Sequence, residues 1–250
     1  MNNPVLNDKV FKRSESERRS SAVMTVKGTM TKTLLLLLMV AAGAAYTWKV
    51  FYESLEPSSV TPYMYGGLIG GFVLALIISF APKTAQYLSP FYAAGEGLAL
   101  GGISAMFNAL FAETAPNIIF NAVALTILTA VVMFTIYRKQ IIKVTDKFKK
   151  VILISLTTIL IYYVVCIILK LCGVNLDILE GGNILSIVIS IVIVGVAAFS
   201  LLIDFDYITK SSQMGAPKYM EWYGAFGLVV TLVWLYLEIL KLLSKFANRN

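Results

Sequence analysis

The stretch Ser200–Lys241 reads SLLIDFDYITKSSQMGAPKYMEWYGAFGLVVTLVWLYLEILK. An apolar run ends in Leu201-Leu202-Ile203-Asp204-Phe205-Asp206, a short polar turn follows, and a second apolar run carries Glu238. Each run is long enough for the ~20 residues that a helix needs to cross hydrocarbon. A charge near the bilayer centre costs at least ~2.5–3.5 kcal/mol on insertion scales, so acids written into such runs mark functional positions. The remaining helices are then read as the shell that lets these acids exist.

Composition agrees with that reading. Of the 250 residues, 58% are hydrophobic and 14% charged, with a mean hydropathy of +0.78, far too apolar for a soluble domain of this length. Apolar spans are expected near 34–52, 63–81, 88–112, 117–137, 151–172, 183–206 and 220–243. The fold class is therefore all-α, a polytopic membrane protein with seven transmembrane helices. It divides into a polar, basic, disordered arm (1–30), a seven-helix domain (31–246) and a tail (247–250). Pro62, Pro90 and Pro116 fall at or near span starts, where a missing N–H is harmless.

Charge gives the topology. With the N-terminus in the cytoplasm, the inner segments hold 16 of the 21 Lys and Arg, and the loops on the other side carry only acids: Glu53, Glu56, Glu113, Asp177 and Glu180. That is the positive-inside pattern, and it explains the net charge of +7 without a nucleic-acid partner. The tail residues Lys241, Lys245 and Arg249 are the one discord. The chain has no histidine, so the commonest metal ligand and pH switch is missing. Cys166 and Cys172 share one apolar span and are expected as two buried core thiols. Glycines and alanines cluster at 66–71, 95–102 and 195–198; close helix packing is the expected role.

Ser200 and Asp204 are four residues apart and share a helix face, whereas Asp206 lies about 200° round and belongs at the headgroup level beside Lys210. Depth decides which acid can meet Asp204. Glu238 is 18 residues along the last span, roughly 27 Å deep at ~1.5 Å per residue, too far to touch it. Glu96 on the third span has a comparable depth to Asp204, Thr231 is a hydrogen-bonding neighbour in reach, and Glu221 sits at the inner mouth. Two carboxylates close together in low dielectric share a proton and titrate as a pair. An Asp204–Glu96 pair would be a pH-responsive latch that also offers a weak, transient Ca²⁺ site; the plain alternative is that each acid fixes helix packing through local hydroxyls.

The segment Phe199-Ser200-Leu201-Leu202-Ile203-Asp204-Phe205-Asp206-Tyr207-Ile208 resembles the end of the sixth helix in the Bax inhibitor (YccA-like) family. Tyr92-Ala93-Ala94-Gly95-Glu96-Gly97-Leu98-Ala99-Leu100-Gly101 is similar to that family's third helix. Asn3 to Leu6 and Glu221-Trp222-Tyr223 resemble a bacterial branch with a longer N-terminal arm. The resemblance implies a pH-gated calcium leak in which two aspartates, on helices six and seven, share a proton. Asp204 matches the first. For the second, Leu235-Tyr236-Leu237-Glu238 copies the local wording, while a gapless match of the helix end puts Thr231 there. Lys83 is the nearest counterpart of the family's basic residue on helix two.

The function expected is a pH-sensitive leak of cations, Ca²⁺ in particular, through a bacterial inner membrane, with protons as regulator and no cofactor. No phosphate-binding glycine loop and no EF-hand pattern is present, and no nucleophile–base spacing suggests an enzyme. Rival readings are a non-transporting regulator that binds a partner, such as a membrane protease, through the basic arm and loop 138–150, and a proton-coupled transporter.

Overall fold

A computed structural model describes residues 23–173 and 182–249. Lys9, Lys12, Arg13, Arg18, Arg19, Asp177 and Glu180 lie outside the described residues, as do Asn3 to Leu6. Among the described residues the chain forms seven long helices: α1 Val26–Ser54, α2 Pro57–Phe80, α3 Ala85–Leu110, α4 Ile118–Arg138, α5 Asp146–Leu171, α6 Ile184–Gln213 and α7 Met220–Ala247, with a 3₁₀ turn at Pro82–Thr84. Polar caps set several starts. Thr25, Thr145 and Asn183 accept from the backbone N–H three residues on, at 3.0, 3.2 and 2.8 Å, satisfying donors that a first turn leaves orphaned. Pro57 opens α2.

Six of the seven helices are long and apolar enough to cross a membrane. The exception is α3, so the expected seven apolar spans become six plus one less apolar helix. Packing explains why. α3 is surrounded by α1, α2, α4 and α7, and an enclosed helix need not be apolar all round. Its Ser89, Ser104 and seven of its alanines and glycines are buried. By contrast α5 buries only Ile152, and its one extended helix contact is with α6. Leu153, Ile154 and Leu160 of α5 are each about two-thirds exposed (64%, 66% and 64%), which suits a lipid-facing surface.

Small residues bring α1, α2 and α3 into backbone contact. A Cβ at Gly97 would overlap the Val40 carbonyl, one at Gly101 the Ala44 carbonyl, and one at Gly67 the Gly95 carbonyl. Packing is thus the role of these glycines, while Gly66, Gly70 and Gly195 face open space. Two expectations are corrected here. Cys172 is exposed and Cys166 half-buried, not two core thiols, because α5 is peripheral. Residues 23–30, expected in a disordered arm, are ordered: Met24 is 1% exposed, its N–H donates to Ala216 O at 2.8 Å, and α1 begins eight residues before the leucine run.

Candidate functional site

α6 continues to Gln213, past the residue 206 at which the apolar run stops. Asp204 therefore lies nine residues from the helix end, roughly 13 Å along the axis. Its carboxylate faces Thr231 of α7, and its Oδ2 is buried with no hydrogen-bond partner among the described residues. Both residues line a cavity of about 290 Å³ with Ser200 and Ile203 of α6, Val230 and Trp234 of α7, and Leu156 of α5. Ser200 and Asp204 thus share a face, as their spacing requires. The Ser200 hydroxyl is not free for Asp204, because it donates to Ala197 O at 2.7 Å.

The cavity exists because α5 leans on α6 and leaves a gap toward α7, and polar contacts close that gap on either side of Asp204. Nearer the N-terminal end of the bundle, Asp206 binds Lys149 of α5 at 2.6 Å and Lys210 of its own helix at 2.8 Å. Toward the far end, the Tyr163 hydroxyl of α5 donates to Glu238 Oε1 of α7 at 2.8 Å. Lys241 reaches the same oxygen at 3.1 Å and lies over the Tyr163 ring at 4.7 Å. Asp206 does sit beside Lys210, yet it is 6% exposed and ties two helices together. Glu238 is 2% exposed and, as depth requires, does not join Asp204.

Glu96 does not join Asp204 either, so the expected carboxylate pair, and a Ca²⁺ site built from both, is corrected. Glu96 turns toward α2, its Oε1 3.0 Å from where a Gly71 Cβ would stand, and it interacts with Tyr92 one turn earlier. The two acids point different ways: α3 and α6 form no extended contact, and α7 packs against both. Lys83 is exposed in the 3₁₀ turn and forms no ion pair among the described residues. Those residues also contain no group of three or more His, Cys, Asp or Glu arranged around one point.

Glu221, expected at the inner mouth, is fully buried. Its Oε1 accepts from the Thr25 N–H at 2.9 Å, the Thr25 hydroxyl at 2.8 Å and Lys218 at 2.8 Å, and its Oε2 binds Lys32. It therefore clasps the start of α1 to the start of α7. A side chain at Gly28 would overlap this carboxylate. In sequence, an acid in a first helical turn looks like routine complementation of the helix dipole; its distant partners at Thr25 and Lys32 carry no local signal.

A family model described as Bax inhibitor 1 like matches residues 3–248, while no curated protein and no solved structure matches the chain. With almost the whole chain covered and six helices of membrane-crossing length, this integral membrane protein belongs to the Bax inhibitor 1 like family.

Proposed function

We propose that the chain is a pH-sensitive leak pathway for cations, Ca²⁺ foremost, and that the ions pass along the α5 seam by Asp204. The N-terminus is cytoplasmic and the membrane a bacterial inner membrane. One observation carries this reading: Asp204 has a buried, unpartnered carboxylate oxygen facing a cavity. Asp206, Glu221 and Glu238 are each neutralised by a lysine. No lysine or arginine contacts Asp204 among the described residues, so a passing cation or a proton takes that role.

The chemistry favours transit over storage. Holding Ca²⁺ tightly takes about six to eight oxygens, whereas Asp204, Thr231 and Ser200 offer four side-chain oxygens in all. An ion keeping part of its water shell would bind weakly there and leave, as conduction requires. The proton works through the same group. Ionised Asp204 accepts from Thr231 and attracts a cation; protonated Asp204 donates to Thr231 and attracts none. The latch is thus one carboxyl and one hydroxyl rather than two carboxylates, and flux should fall as pH falls.

Reconstituted vesicles test this. Ca²⁺ flux through the wild-type chain is expected to decline from pH 8 to pH 5, and Asp204→Asn should give a low, pH-independent flux. An Asn variant with the wild-type pH profile would refute the role of Asp204. Absence of wild-type flux would favour the regulatory reading, which has its own support: of the six Lys and Arg in loop 138–150, only Lys149 is ion-paired among the described residues, leaving the others free for a protein partner such as a membrane protease.

A further inference from the structure

We infer that the gap between α1 and α4 is a binding slot for one acyl chain of a membrane phospholipid. It rests on a different part of the molecule from the Asp204 seam. α1 and α4 form no extended contact with each other, and between them lies a cavity of about 560 Å³ walled by Leu37, Ala41 and Trp48 of α1 and by Ile119, Ala130 and Val131 of α4. α3 and α7 close its back with Ser104 and Tyr236 among other residues.

Water finds few free partners in this slot. The Ser104 and Tyr236 hydroxyls pair with each other at 2.6 Å, and Thr126 donates to Ala122 O at 2.7 Å. A cavity whose few polar groups are mutually satisfied stays dry or takes an apolar guest. In a membrane the guest at hand is hydrocarbon.

Shape selects the guest further. From Leu37 to Trp48, and from Ile119 to Val131, the slot runs roughly 16–18 Å along the helices, about half of a ~30 Å hydrocarbon core and so one leaflet. The apolar lining and one-leaflet length suit an extended hydrocarbon chain. The Trp48 end is also where a headgroup would sit. Trp48 stacks near Tyr52 with ring centroids 5.4 Å apart, Tyr46 meets Tyr63 at 5.7 Å, and Asn108 donates to the Tyr52 hydroxyl at 2.6 Å. Such an aromatic band marks a membrane–water interface. The Lys49–Glu53 pair at that end is exposed and neutral as a pair, so the slot selects the chain and not the charge of the headgroup.

The probe is phosphatidylcholine or phosphatidylglycerol with brominated acyl chains, titrated in mild detergent into full-length protein carrying W222F and W234F, so that Trp48 alone reports. Quenching is expected to saturate near one lipid per chain, equally for both headgroups. Intact-protein mass spectrometry should find one retained phospholipid. Ala41→Phe and Ala130→Phe, which fill the slot from opposite walls, should each abolish retention and saturable quenching, whereas Ile154→Phe on the exposed face of α5 should change neither. Quenching of the wild-type-slot protein that never saturates, retention unchanged in a folded Phe variant, dependence on headgroup charge, or a lipid-free dimer that Ala41→Phe dissociates would each overturn the assignment. The titration of the unfilled slot decides the matter even if both filled variants fail to fold.

Discussion

Removing the Glu221 carboxylate should be among the most damaging single changes in the chain. Glu221→Ala withdraws the acceptor from the Thr25 N–H, the Thr25 hydroxyl, Lys32 and Lys218 at once. The lysines do not count equally. The Lys218 side chain is 48% exposed and can return to water, a contribution of at most about 1 kcal/mol. Lys32 is only 19% exposed, and a buried pair that loses one partner costs about 3–5 kcal/mol because the other charge is left uncompensated. The expected loss is therefore about 3–5 kcal/mol, which at roughly 2–4 °C per kcal/mol for a chain of this size lowers the melting temperature by roughly 6–20 °C. Glu221→Gln keeps an acceptor for Thr25 and should fall between. Thermal unfolding in detergent, followed by size-exclusion fluorescence, measures these shifts. A double-mutant cycle should couple Glu221 to Lys32 more strongly than to Lys218. If Glu221→Ala melts within about 2 °C of wild type, or if Lys218 couples as strongly as Lys32, then the clasp does not hold α1 to α7.

Gly97→Ala should destabilise by about 1–3 kcal/mol, since its Cβ meets a backbone carbonyl that cannot rotate away. Gly70→Ala, with no other atom within 4 Å, should be neutral or stabilise by about 0.5–1 kcal/mol, the usual gain from replacing a mid-helix glycine; the same melting assay compares the two. Tyr163→Phe removes the bond that pins α5 to Glu238, and Asp206→Asn weakens the hold on Lys149. Each should loosen the seam and raise Ca²⁺ flux in vesicles while leaving its fall at low pH in place, because Asp204 is untouched. A lower flux in both variants would show that the path does not follow α5.

Much of the architecture could be read from residues alone. Helices longer than 20 residues follow from runs such as Leu34–Leu38 and Val192–Val196, and depth arithmetic correctly separates Asp204 from Glu238. It also brings Thr231 level with Asp204. What depth cannot give is direction. Glu96 and Asp204 count to similar depths, yet they point into different seams, because a one-dimensional count holds no information about which helices are neighbours. Helix ends misled for a related reason. Apolar runs stop at 206, but Ile208 is 1% exposed and Ser211 5% exposed, so α6 keeps a packed face for two turns after its composition turns polar. At the other end of the chain, Thr25 and Gly28 read as part of a polar arm until Glu221, 196 residues beyond Thr25, supplies the partner of Thr25.

The arrangement of the acids follows from one energetic constraint applied at several depths. A carboxylate in or near hydrocarbon must be neutralised, and near the bundle ends a lysine can do so while its stem lies along apolar surface and its head reaches water. Asp206, Glu221 and Glu238 follow that rule, with Lys210, Lys218 and Lys241 on the same helix or the turn before it, each about half exposed at 52%, 48% and 45%. Asp204 lies between the Asp206 and Glu238 contacts, and the surrounding side chains are Leu156, Ile203, Val230 and Trp234. The same geometry that denies it a resident cation leaves a space of about 290 Å³ beside it. Filling that space with a lysine offers a direct check. Leu156→Lys would place a permanent cation opposite Asp204, so it should abolish both Ca²⁺ flux and its pH dependence, and the added Asp204→Asn change should destabilise the protein by leaving the new charge alone.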